Sequence, residues 1–100
     1  MIEARIRTHP GEVLREEFMK PMGLSANAVA RALRVPPNRI TAIIAGEEPR
    51  AVTPDTALRL GRYLGTTPEF WLNLQLAYDL SRARTEVGAR IEAEVQPVAA

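Results

Sequence analysis

Apolar residues recur along this chain at helical spacing, in short runs broken by proline and glycine, and nowhere in the strict alternation of a half-buried strand. In LSANAVARALRVPPNRITAIIAG, residues 24–46, Leu24, Ala28, Ala32 and Leu33 form one stripe with Val29, and Ile40, Ile43 and Ile44 form a second. The break falls at Arg34-Val35-Pro36. Two helices joined by so short a turn must cross steeply. Ala30 is small enough for their close approach, Val35 plugs the turn, and Pro36 or Pro37 opens the second helix where a missing N–H costs nothing. The pattern is the footprint of a helix-turn-helix, whose second helix is free to enter a major groove.

The remaining stretches supply three more helices, so the expected fold class is all-α, with five helices and the helix-turn-helix at helices 2 and 3. Helix 1 is predicted over about residues 10–19, capped by His9 or Thr8, with Glu12, Glu16 and Glu17 outward and Pro21 and Gly23 as stops. Helix 2 covers about 25–33 with Ser25 as N-cap, and helix 3 about 37–45 with Gly46 closing it. After a loop at 47–52, helix 4 covers about 53–64, with Thr53 as N-cap, Gly65 past its end, and Ala57, Leu58, Leu60 and Leu64 inward. Helix 5 begins after Thr67-Pro68 and runs to Leu80, continuing to about Glu94 past Gly88; the final PVAA frays. The organisation expected is an N-terminal arm at 1–8, a domain at 9–80 and a helical extension and tail at 81–100.

One hundred residues, 46% hydrophobic with 5% aromatic, make one small domain whose core is mainly Leu, Ile, Val and Ala. The absence of cysteine excludes a disulfide framework and a thiolate metal site, and fits a reducing cytoplasm. No apolar run reaches the roughly 20 residues of a membrane span, and MIEARIRTHP lacks a signal peptide's apolar stretch, so a soluble cytoplasmic protein with no membrane role is expected. The net charge of +1 hides a polarity along the chain. Residues 25–45 carry Arg31, Arg34 and Arg39 and no acid, whereas residues 69–94 carry five acids against three arginines.

The segments HPGEVLREEFMKPMGLS, VPPNRITAIIAG and TPDTALRLGRYLGTTPEFWLNLQLAYDL together resemble the HigA-type antitoxins of the XRE family, the Cro and lambda-repressor-like helix-turn-helix proteins, over about residues 9–80. The resemblance implies a five-helix lambda-repressor-like fold, a homodimer, binding to double-stranded operator DNA, and a complex with a RelE/HigB-type mRNA nuclease toxin. A stand-alone regulator of the same fold without a toxin is the alternative. Two positions depart from the pattern: Arg34 stands where such turns often carry glycine, and Glu47 and Glu48 stand where basic residues often follow the recognition helix.

On that frame Pro37, Asn38, Arg39, Thr41 and Ala42 are the expected base-reading residues, since Asn suits adenine, Arg suits guanine, and Thr or Ala can touch a thymine methyl. Ser25, Asn27 and Arg31 on helix 2, with Arg50 in the loop, are the expected phosphate contacts. The run Glu69 to Leu76 holds more apolar surface than one helix edge of so small a domain buries. Phe70 and Leu74 are expected to close the core, leaving Trp71, Leu72, Leu76 and Tyr78 for a dimer interface, with Trp71 in the core as the alternative. No catalytic residue, cofactor or metal is expected. His9 is the only histidine, the adjacent Glu16 and Glu17 diverge on a helix, and Ser25 and Ser81 have no histidine in reach by sequence.

Overall fold

The computed structural model describes residues 5–99, and all regular structure among them is helical. Helix α1 spans residues 10–22, α-helical at Pro10–Val13 and Lys20–Met22 with a π-helical stretch, Leu14–Met19, between. It is followed by α2 (Ala26–Leu33), α3 (Pro37–Ile43), α4 (Pro54–Leu64) and α5 (Pro68–Glu94). The first four residues of the expected N-terminal arm, and the last of the expected frayed tail, lie outside the described residues.

Every helix but α3, which opens on Pro36-Pro37 without a side-chain cap, begins where a side chain takes an otherwise unpaired N–H. His9 Nδ1 accepts from the Gly11 amide at 2.8 Å, Ser25 Oγ from Ala28 at 3.0 Å, Thr53 Oγ1 from Thr56 at 3.4 Å and Thr67 Oγ1 from Phe70 at 3.1 Å. Three helices end on left-handed residues, Gly23, Arg34 and Gly65. At all three, the amide after the left-handed residue reaches back to the start of the last turn, Leu24 to Met19 O at 2.8 Å, Val35 to Ala30 O at 3.0 Å and Thr66 to Gly61 O at 3.1 Å. Helix α1 differs from expectation in running through Pro21. The π stretch lies directly before the proline, which can neither donate to an earlier carbonyl nor sit comfortably against one.

The core consists of Leu14, Met19, Val29, Ala30, Leu33, Val35, Ile40, Ile43, Val52, Ala57, Leu60 and Trp71. Val35 is buried in the turn, as its position between the two helices requires. Where the inward faces differ from expectation, the phase of the helix is the reason. In α2, Val29, Ala30 and Leu33 turn inward and Ala32 is exposed. In α4, Thr56, Ala57, Leu60 and Gly61 face in, and Leu58, about 100° from Ala57, is 62% exposed. Helix α3 ends at Ile43 with Ile44 as its cap residue, two before Gly46, and Gly46 has no positive φ; the left-handed residue in this loop is Glu48.

Helix α5 is the long axis of a molecule with Cα extents of 53 × 25 × 22 Å. Trp71 is fully buried against Phe18, with ring centroids 5.5 Å apart, and its indole N–H donates to Thr66 Oγ1 at 2.7 Å. Gln75 accepts the Val52 amide at 2.8 Å, and Ser81 Oγ accepts the Arg7 amide at 2.9 Å. Arg7 and Ser81 lie just outside the expected domain boundaries, so the arm and the start of the extension are tied to each other.

Candidate nucleic-acid interface

Helix α3 is seated on α1. A Cβ on Gly11 would overlap the carbonyl oxygen of Ile43, so only glycine permits this approach of the two backbones. One turn further along α1, Arg15 Nη1 donates to Ile44 O at 2.6 Å, capping the end of α3 with a positive charge. The end of α2 receives the same treatment from α4, where Arg59 Nη1 donates to Leu33 O at 2.8 Å. Arginines on other helices therefore fix both helices of the helix-turn-helix at their C-terminal ends.

With Ile40 and Ile43 buried, the opposite side of α3 faces solvent. Asn38 and Thr41 are exposed on it, Ala42 is half-buried beside them, and Pro37 is exposed at its start. Thr41 Oγ1 donates to Asn38 O at 3.3 Å, which leaves the Asn38 amide group itself available. Ser25, Asn27 and Arg31 are exposed on α2 and Arg50 on the loop, whose amide bonds Ala42 O at 2.9 Å. Ser25 caps α2, and that acceptor role leaves its hydroxyl proton free to point outward.

Arg39 stands apart from this face. It lies about 100° round the helix from Asn38, is half-buried, and its guanidinium donates to Asp55 Oδ2 at 3.0 Å. Placed with the base readers by sequence, it is instead turned toward α4. The same Asp55 oxygen receives Arg59 Nε at 2.9 Å. The hydrogen bond from Arg59, with the charge of both guanidiniums, holds the Asp55 carboxyl below the ordinary carboxylate range. Asp55 and Arg59 escaped the sequence reading. Their i,i+4 spacing was visible, whereas the pairing of Arg39 with a residue sixteen positions away was not.

The expected interface residues also separate. Trp71 is fully buried in the core and cannot contribute to an interface without unfolding the domain. Phe70, expected inside, is 39% exposed, so the two aromatics have exchanged roles. Leu72 is half-buried and packed on the core. Tyr78 is half-buried with its ring at 4.7 Å, edge-on, from His9 and its face under the Arg82 guanidinium at 5.7 Å, both within the protomer. Leu76 alone of the four is open, at 63%. It lies on the side of α5 opposite Trp71 and shares a stripe at helical spacing with Leu80, Ala83, Val87 and Ile91. Among the described residues no helix is long and apolar enough to cross a membrane, and no three His, Asp or Glu side chains gather as a metal site would need.

A glycine-seated helix whose outer face carries Asn38 and Thr41, flanked by exposed arginine on α2 and the following loop, defines a helix-turn-helix domain of the DNA-binding type. The helix-turn-helix family model HTH_3 matches residues 16–71. The chain is 58% identical over 78 residues to virulence-associated protein I of Dichelobacter nodosus, covering 78% of this chain and 70% of that protein. Among solved structures, it is similar to an addiction module antidote protein of the HigA family from Coxiella burnetii, with 52% identity and a TM-score of 0.85 over 93% of this chain and 99% of that one. The antitoxin GraA in complex with its operator matches at 47% identity and a TM-score of 0.90, over 100% of this chain and 99% of that one. The chain belongs to the HTH_3 helix-turn-helix family, of the XRE type, and within it to the HigA antitoxins.

Proposed function

We propose that this protein is the antitoxin of a type II toxin–antitoxin module, binding its operator as a homodimer to repress its own operon and neutralising a RelE/HigB-type mRNA nuclease toxin in the cytoplasm. The observation that carries the DNA half is the outward face of α3, with Asn38, Thr41 and Ala42 exposed or half-exposed on a helix fixed at Gly11 and Arg15. Full-length similarity to GraA, solved with its operator, supports it. Asn38 pairs with adenine and Thr41 and Ala42 lie against a thymine methyl, while Pro37 starts the helix at the groove. Ser25, Asn27, Arg31 and Arg50 meet phosphates. The toxin half rests on membership of the HigA antitoxins, and the chain's own chemistry is binding, not catalysis.

Two half-sites on a palindrome call for a two-fold dimer. The stripe Leu76, Leu80, Val87 and Ile91 supplies its surface, because it faces away from the core along a helix that outruns the body. Duplex titrations at several salt concentrations test the DNA assignment. Asn38→Ala is expected to weaken binding to the DNA upstream of the gene by about 1–3 kcal/mol and leave a scrambled duplex unaffected. Arg31→Ala is expected to weaken both alike and flatten the salt dependence by about one unit. Equal losses on both duplexes for Asn38→Ala would remove it from the base readers. Co-purification with the product of the adjacent gene decides the toxin half, and its failure leaves a stand-alone regulator.

A further inference from the structure

We infer that Asp55 is a positioning residue that limits the sequence-independent DNA affinity of this protein by occupying Arg39, an inference that rests on the DNA-binding reading above. The Asp55 carboxylate accepts from Arg39 at 3.0 Å and from Arg59 at 2.9 Å through one oxygen. Arg59 is itself anchored to Leu33 O at 2.8 Å, so the carboxylate is held in place by the end of α2 before it holds α3. Arg50, Thr53 and Thr56 line the same cleft, which has a volume of about 340 Å³. Three guanidiniums at the edge of a DNA-reading face form a receptor for a backbone phosphate, while the Thr53 and Thr56 hydroxyls bond each other. In this chain an internal carboxylate fills that place.

The consequence follows from where Arg39 sits. A long cationic side chain on the flank of the recognition helix, if released, reaches phosphate more readily than a base edge. Phosphate contacts are blind to sequence and supply essentially all non-specific affinity. Tying Arg39 to Asp55 removes one such contact from every duplex alike and leaves the reading by Asn38, Thr41 and Ala42 untouched. Operator and non-specific affinities are therefore lowered by the same factor, and the salt dependence of both is flattened.

The test titrates wild type, Asp55→Asn, Arg39→Ala, their double variant and Glu92→Gln, a remote exposed acid that controls for net charge, against the operator and a scrambled duplex across a salt series. Asp55→Asn is expected to tighten binding to both duplexes roughly fivefold at about 0.15 M salt and to steepen both salt slopes by about 0.9, the worth of one added phosphate contact. Adding Arg39→Ala is expected to abolish the gain. A gain confined to one duplex, a gain that survives Arg39→Ala, or the same gain in Glu92→Gln each overturn the assignment. The Asp55 side chain is exposed, and thermal melts verify the fold; Asp55→Ser repeats the test should the Asn variant melt early. A wild type that shows no preference for its operator overturns the DNA reading itself, and does so before any variant is compared.

Discussion

Residues 68–81 and 82–94 of α5 form one unbroken helix, yet they are held by different forces. The first half buries Trp71 completely, takes a loop amide on Gln75 and an arm amide on Ser81, and bears against His9 through Tyr78. In the second half the ion pairs are internal to the helix, Arg82 with Glu86 at 3.1 Å and Arg90 with Glu94 at 4.0 Å, and Ile91 is 48% exposed. Such pairs contribute about 0.2–0.5 kcal/mol each, too little to sustain a projecting helix of this length alone. Helical spacing of apolar residues is present in both halves. What differs is whether another part of the same protomer stands opposite, and the distal stripe is the surface proposed above for a second copy.

The sharpest way to break this contrast is to truncate one apolar side chain in each half. Trp71→Ala is expected to cost about 3–5 kcal/mol of folding stability at any protein concentration, since it empties the core and leaves Thr66 without its indole partner. Ile91→Asp is expected to leave the fold intact while converting dimer to monomer. Operator affinity should then fall by up to about two to four decades as the gain from two linked reading heads is lost. Sedimentation with circular dichroism separates the outcomes. A folded Trp71→Ala variant that merely loses its partner would return Trp71 to the interface, and an Ile91→Asp variant that stays dimeric would place the interface elsewhere.

The sequence was most legible where structure is local. Ser25 and Thr53 as N-caps, Gly23 and Gly65 as helix ends and Val35 in the turn each follow from a residue and its nearest neighbours, whereas Arg34, left-handed in the structure, is marked only by the family resemblance. Phase was harder to read. Phe70, Trp71 and Leu72 are consecutive apolar residues that permit more than one inward direction, and only the position of Phe18 on α1 selects Trp71. The same holds for Leu58, displaced outward because Thr56 and Ala57 take the inner positions of α4. Long-range polar pairing left no periodic trace. The bonds from Arg39 to Asp55, Arg15 to Ile44 and Arg59 to Leu33 each span at least sixteen residues.

A smaller effect sharpens the contrast at the proximal end, where the arm meets α5. His9 is buried, its Nδ1 caps α1, and its Nε2 has no hydrogen-bond partner. Burial lowers its pKa from the ordinary 6.5, with Asp79 opposing. Because the unfolded chain binds the proton more tightly, stability is fully present above pH 6.5 and drains away as pH falls below it toward the folded value. Protonation also puts a hydrogen on the nitrogen that must accept from Gly11. Melting temperatures between about pH 8 and pH 5 are expected to decline for wild type and to flatten for His9→Asn, which retains a capping oxygen without titrating here. Equal slopes for the two proteins would mean that other groups carry the change. The carboxylates with lowered pKa values, Glu16 and Asp55, act only in more acidic solution, below their ordinary values of 4.5 and 3.8.

The smallest expected effect lies in the helix-turn-helix, at the residue where this chain departs from the family pattern. Arg34 has φ 62° and ψ 44°, and its amide bonds Arg31 O at 3.3 Å while the next amide, of Val35, closes on Ala30 O. The turn therefore has the backbone that glycine favours, on a residue whose Cβ crowds it at a cost of about 1–2 kcal/mol. Glycine relieves the crowding but enlarges the conformational freedom of the unfolded chain, which returns about 0.4–1 kcal/mol. Arg34→Gly is thus expected to stabilise the domain by several tenths of a kcal/mol up to about 1, read as a modest rise in melting temperature. Its side chain is exposed beside the face assigned to DNA, so if it also meets a phosphate, affinity for both operator and scrambled duplexes should fall together and the salt slope flatten by about one unit. A lower melting temperature for the glycine variant would show that the arginine side chain, and not only its backbone, stabilises the turn.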